Sequence, residues 1–272
     1  MTAIRKSPPF LRGENSGEPM TGFDRFESAV LDAMQALMAP LIKAHKDDPG
    51  VGDAVYNHIF DLGPPAKDFK RVRTAREAYV VAIFSGVVEI SKSLETLDDI
   101  AFLVSRFPYR NTRISPERYL QFHVEAYFGE VYILKERLSR YLVRIEREFK
   151  GDERLAEIRD SRRRLTRLLN SFLLPFVKAR DSHVHVERLE DEGIARLGTI
   201  NLLTRGSDDK MTSVMKVLYR TEYPKVRKKW KKNISQYNAA VRRLLNVYSN
   251  ALWAELFEES SGKLRLPTRL LS

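Results

Sequence analysis

Cysteine is absent from the 272 residues. That excludes disulfides, thiolate metal sites and a cysteine nucleophile, and it suits a reducing compartment. No apolar run reaches the roughly 18 residues that a membrane span requires. The opening stretch Met1 to Pro19 is rich in Pro, Gly and Ser and lacks the apolar core of a signal peptide. A cytoplasmic protein is therefore expected. Neither a Gly-rich phosphate loop nor a nucleophile elbow is present, nor any arrangement of paired carboxylates. No repeat of about 20–50 residues stands out.

The remaining composition is that of a globular chain with a charged surface. Apolar residues make up 43% and charged residues 31%, enough to bury a core in a chain of this length. Lys and Arg total 47 against 36 Asp and Glu, a formal charge of +11. Such a surface attracts polyanions, either nucleic acid or an acidic membrane, or simply keeps the protein in solution.

Apolar spacing predicts helices throughout. Residues 1–21, with Ser7-Pro-Pro, Gly13, Gly17 and Pro19, are expected to be a disordered tail. Phe26, Val30, Met34, Leu37 and Leu41 then recur at helical spacing, with Pro40 expected to kink or end the helix. Turns are expected at Asp47-Asp-Pro-Gly and Leu62-Gly-Pro-Pro. Thr74 is placed to cap a helix containing Val80, Ile83, Phe84, Val87 and Val88. The β-branched density also suits a strand, and a buried helix is preferred. A separate helix is expected from Leu97 to Phe107. Ser115-Pro-Glu117 opens a long helix with the stripe Leu134, Leu138, Tyr141, Ile145 and Phe149.

After a break at Gly151-Asp152, a second long helix carries Leu155, Ile158, Leu165, Leu169, Leu173 and Phe176. Two long helices joined this closely should pack antiparallel. A last pattern runs from about Lys210 to Phe257, interrupted or bent near Pro224. The expected fold is all-α, an antiparallel helical bundle. One helical domain spans residues 22–260, and residues 261–272 form a flexible C-terminal tail.

The candidate chemistry lies at the end of the second long helix, in Arg180-Asp181-Ser182-His183-Val184-His185. Arg180 continues the stripe of Leu169, Leu173 and Phe176, so on a continuous helix it faces the seam. A charge there must be paired or meet a phosphate. Here the chain resembles the HEPN superfamily of helical nucleases and nucleotide-binding domains. Its signature is an arginine, commonly followed by a polar residue, then a histidine after four to six intervening positions. The resemblance covers residues 116–205, a HEPN-like core to which the flanking helices would be additions.

The resemblance implies a homodimer that joins two copies of the motif, and metal-independent endonucleolytic cleavage of RNA through 2′-hydroxyl attack, as in toxin or defence systems with a cognate antitoxin. No cofactor or metal is implied. Arg180 would bind phosphate and His185 would move the proton, with Asp181 and Ser182 orienting them. Five helical residues turn about 140°, so Arg180 and His185 diverge on an unbroken helix. Either the helix ends near residue 181, or the two meet across a dimer, or His183 is the working histidine. The alternative is a non-catalytic dimeric helical module binding nucleic acid or a protein partner, with Arg180 and His183 a satisfied polar cluster at a helix end.

Arg118 and His123 repeat the spacing at a helix start, with tyrosine after the arginine. His183, His185 and Glu187 also suit metal ligation, although no further histidine is near in sequence. Glu125 and Glu130 could approach a cleft, whereas His45 and His58 suggest nothing. A second candidate is the basic stretch around Lys225, Arg227, Lys228, Lys229, Trp230, Lys231 and Lys232, read as nucleic-acid-binding. Lysines there would neutralise phosphates while Tyr219, Tyr223, Trp230 and Tyr237 stacked on bases, unless those aromatics point into the core. The stretch could also meet an acidic membrane surface, but packing better accounts for its apolar face.

Overall fold

The apolar stripes become the seams of a helical bundle. The computed structural model describes residues 22–44, 57, 74–106, 114–185, 191–204 and 210–271, with residues 41, 42, 44 and 179–185 described by backbone alone. Among these, the helices are α1 (Gly22–Ala44), α2 (Ala75–Ser105), α3 (Pro116–Glu148), α4 (Leu155–His185), α5 (Glu192–Leu203) and α6 (Lys210–Leu256). No strand occurs among the described residues, only an isolated antiparallel bridge between Phe257 and Leu264. The fold is all-α, as expected. The segment 1–21 and the turns read at Asp47 and Leu62 lie outside the described residues.

Helix α3 lies at the centre and packs against α2, α4, α5 and α6. Its predicted stripe, Leu134 through Phe149, is buried along its whole length, as are Ile158, Leu165, Leu169, Leu173 and Phe176 of α4. The two helices are joined by a short turn in which Gly151 takes φ +84°, a conformation favouring glycine. Helix α6 covers the bundle along its length and contacts α1, α2, α3, α4 and α5.

Three boundaries differ from the sequence reading. The segments read as two helices at Val80 and Leu97 are one, α2, begun by a reciprocal capping box between Thr74 and Glu77. Nothing between them breaks a helix, and Gly86 is held in place by the Tyr141 ring against its backbone. Pro40 and Pro224 are both accommodated inside helices. A proline removes one backbone hydrogen bond, and the buried Tyr223 and Val226 on either side of Pro224 hold that helix together across the gap.

The third difference is the end of the chain. Residues 257–271, expected to include a flexible tail, fold back over α2 and the α3–α4 turn. Tyr79 donates its hydroxyl to the Arg265 carbonyl at 2.8 Å, and Arg154 donates to the Leu266 carbonyl at 3.2 Å. Arg269 pairs with Glu148 at 2.9 Å.

Candidate functional site

The Arg–His motif sits at the end of α4, whose backbone is helical through His185. The helix therefore does not end near residue 181. At 100° per residue, His185 lies about 140° around the axis from Arg180, and His183 about 60°. Within one chain, His183 is the histidine on Arg180's side of the helix. The side chains of Arg180, Asp181, Ser182, His183 and His185 lie outside the described residues, as do Glu187, His45 and His58.

What fixes this helix end is visible one turn earlier. Phe176 is buried, with its ring 6.2 Å from that of Phe128 on α3 and 5.2 Å, edge-on, from Tyr237 on α6. Three long helices thus meet just before the motif, and Lys178 is already exposed.

The competing Arg118–His123 pair is accounted for otherwise. His123 is buried, its Nδ1 lies 2.8 Å from the Tyr119 carbonyl, and its ring packs against Tyr119 and Phe122. Arg118 is exposed. Glu125 accepts from Gln121, and Glu130 pairs with Arg137 at 3.5 Å. Among the described residues no group of three His, Cys, Asp or Glu is arranged to hold a metal ion.

The basic stretch falls on the outer face of α6, and its members divide by direction. Lys225, Lys228, Lys229, Lys231 and Lys232 are exposed. Lys225 pairs with Glu222 and Lys229 with Asp191. The Lys225 ammonium holds the Glu222 carboxyl below its ordinary range. Lys228, Lys231 and Lys232 have no carboxylate partner among the described residues. Arg227 belongs to the fold: its guanidinium donates to the Val104 and Ser105 carbonyls and closes the C-terminal end of α2.

Trp230 also belongs to the fold, buried with its ring edge-on to Phe128. Tyr223 is buried, Tyr219 is half-buried and bonded to Glu117, and Tyr237 packs on Phe176. These aromatics occupy the inward face, so the outer face has lysines and no stacking platform from Tyr219, Tyr223, Trp230 or Tyr237.

Two features escaped the sequence reading. Glu117, read only as a first-turn acid, is a buried hub. Its carboxylate accepts from Ser115 Oγ, from Asn201 Nδ2 at 2.5 Å and from Tyr219 Oη at 2.5 Å, tying α5 and α6 to the start of α3. Burial, and then the bond to Glu117, pushes the Tyr219 hydroxyl well above its ordinary range. No local pattern announces this, because its partners lie 84 and 102 residues away.

The second is apolar. Met211, Val214, Val217 and Leu218 on α6 are exposed, as are Leu202 and Leu203 at the end of α5. This exposed edge is separate from the apolar face of the basic stretch, where Tyr223, Val226, Trp230 and Ile234 are buried and packing accounts for the face, as expected. Its signal was available: Met211, Val214 and Leu218 share the helix face of Lys225 and Lys232. No protein-family model, curated protein or solved structure matches this chain.

Proposed function

We propose that the protein is a HEPN-like metal-independent endoribonuclease acting as a homodimer, with its centre at the end of α4. Placement supports the reading: the motif lies at the end of the second of two long, closely joined helices, as the resemblance implies. Arg180 holds the scissile phosphate and offsets the charge that builds on it. His183, on the same side of the helix, takes the proton of the 2′-hydroxyl as its oxygen attacks phosphorus. The bond from phosphorus to the 5′-oxygen breaks and that oxygen takes a proton from water, giving a 2′,3′-cyclic phosphate, a 5′-hydroxyl and a hydroxide that the protonated histidine neutralises. His185, turned away from Arg180 within its own chain, serves the motif of the second copy.

The test is RNA cleavage in EDTA by wild type, Arg180→Ala, His183→Ala and His185→Ala, each checked for helicity and oligomeric state. Cleavage to cyclic phosphate ends that disappears in the folded Arg180 and His183 variants supports the site. Full activity in both rejects it. Loss through His185 alone assigns the proton transfer to that residue.

One observation favours a second reading, a non-catalytic module. The lysines of α6 face outward as a stripe and offer an electrostatic contact to an anionic partner whatever happens at Arg180. In that reading, Lys228→Glu weakens partner binding and Arg180→Ala leaves it unchanged.

A further inference from the structure

We propose that the outer face of α5 and the first half of α6 is a peripheral docking surface for an anionic lipid bilayer. The inference does not depend on the chemistry at Arg180. It gives the outward stripe of α6 a specific partner and so deepens the second reading.

The face has two parts. Leu202 and Leu203 are 64% and 56% exposed, and Met211, Val214 and Val217 are 63%, 54% and 61% exposed. Helices α5 and α6 pack on one another, and Asn201 and Tyr219 share the Glu117 carboxylate, which brings the end of α5 to the first half of α6. Lys225, Lys228, Lys229 and Lys232 follow within the next four turns. At 100° per residue, Met211, Val214, Leu218, Lys225, Lys229 and Lys232 fall within about 60° around the helix axis, and Val217 and Lys228 widen the arc to about 120°. The inward face, with Thr212, Tyr223, Val226 and Trp230, is centred about 125° away around the axis and is buried. Laid on a bilayer, the face inserts its first turns among the acyl chains while the lysines reach the headgroup phosphates.

Composition decides between occupants. A second copy on this face would bring two lysine stripes of a +11 chain against each other, and like charges oppose that contact. Protein interfaces are poor in lysine and rich in aromatic residues and arginine, whereas this face has aliphatic residues and lysines. Unpaired nucleic acid is held by stacking on aromatic rings, and the aromatics of α6 named above point inward. Aliphatic side chains beside lysines match an acidic membrane. Glu222 is the one acid between Lys210 and Arg243, and Lys225 pairs with it, while Lys229 pairs with Asp191 at the start of α5. Lys228 and Lys232 have no carboxylate partner among the described residues. No helix among the described residues is long and apolar enough to cross a membrane, so the attachment is peripheral.

The test is flotation of the full chain with phosphatidylcholine vesicles, with and without phosphatidylserine. Wild type should float only with the phosphatidylserine vesicles, and salt should release it. Lys228→Glu and Lys232→Glu should each weaken binding at least about fivefold. Val217→Asp should abolish it with helicity unchanged, and Val217→Leu should retain it.

Absence of flotation with phosphatidylserine overturns the proposal. So does flotation that survives Val217→Asp, because charge alone would then explain it. A wild-type dimer that Val217→Asp dissolves, without flotation, makes the face an interface between copies. A single-stranded RNA shift lost in Lys228→Glu, without flotation, makes it a nucleic-acid surface.

Discussion

Asp152 and Thr268, 116 residues apart, are joined through one carboxylate oxygen: Asp152 Oδ2 accepts from the Thr268 backbone N–H at 2.7 Å and from its hydroxyl at 2.8 Å. The other oxygen accepts from the backbone N–H of Arg154 at 2.9 Å and from its guanidinium at 3.2 Å. Burial alone would raise the carboxyl pKa. The hydrogen bonds from Thr268 and Arg154 outweigh it and hold the group well below the ordinary carboxylate range. The stability this contributes is complete above the unfolded value of about 4 and is lost as pH falls below it toward the folded value. Asp152→Asn should cost about 2 kcal/mol at neutral pH, with the deficit shrinking on acidification. Denaturant titrations at neutral pH and near pH 2 test this, and a deficit independent of pH contradicts it.

Gly86 and Tyr141 make a prediction of opposite signs. A Cβ on Gly86 would stand 2.1 Å from Tyr141 Cδ2, so Gly86→Ala must displace a ring buried in the core. A loss of about 3 kcal/mol is expected, as for overpacking. The Tyr141 hydroxyl is itself buried without a hydrogen-bond partner among the described residues. Tyr141→Phe should therefore leave stability unchanged or raise it by about 1 kcal/mol. Thermal unfolding of the two variants separates steric strain from an unsatisfied hydroxyl.

The Glu117 hub predicts a local effect. Glu117→Ala leaves donors on Asn201, Tyr219 and Ser115 without their shared acceptor and should cost about 3 kcal/mol. Amide exchange should accelerate in residues 194–203 and 212–223 before it does in α3. Tyr219→Phe, which removes one donor, should cost about 1 kcal/mol. Uniform acceleration across all helices would contradict a hub confined to this end.

Glu27 predicts a gain. Burial pushes its carboxyl above the ordinary range, against the opposing bond from Ser91. A carboxyl with a raised folded pKa binds its proton more tightly when folded, so its ionisation works against the fold as pH rises through that value. Glu27→Gln keeps an acceptor for Ser91 and should raise Tm at neutral pH. The gain should vanish below about pH 4, where wild type is also neutral. A lower Tm at neutral pH would contradict this account.

The helices were legible because their signals are local. The stripes of α3 and α4, the Thr74 cap and the Gly151 turn are patterns within a few residues. Residues whose role depends on distant partners were not legible. Arg227 reads as one basic residue in a run, yet it closes α2 through carbonyls 122 and 123 residues away. Trp230 sits among five lysines in sequence but faces Phe128 in space. At the candidate site, the continuous α4 backbone sets position 183 about 60° and position 185 about 140° around the axis from position 180. The exposed aliphatic edge went unread because helical spacing says which residues share a face, not whether another helix covers that face.

The order of elements along α6 bears on how the chain is made. The Phe23 backbone N–H bonds to Asn246, 223 residues later, and Phe26 packs edge-on against Phe257. Phe23 therefore leaves the ribosome 223 residues ahead of Asn246. The α3–α4 pair can form early from contacts close in sequence. Helix α2 and Tyr141 can cover part of α1 earlier, but the seam that Phe23 and Phe26 make with Asn246 and Phe257 closes only once those residues have emerged. Emergence of the end of α6, rather than collapse of any one helix pair, sets the moment at which this bundle closes.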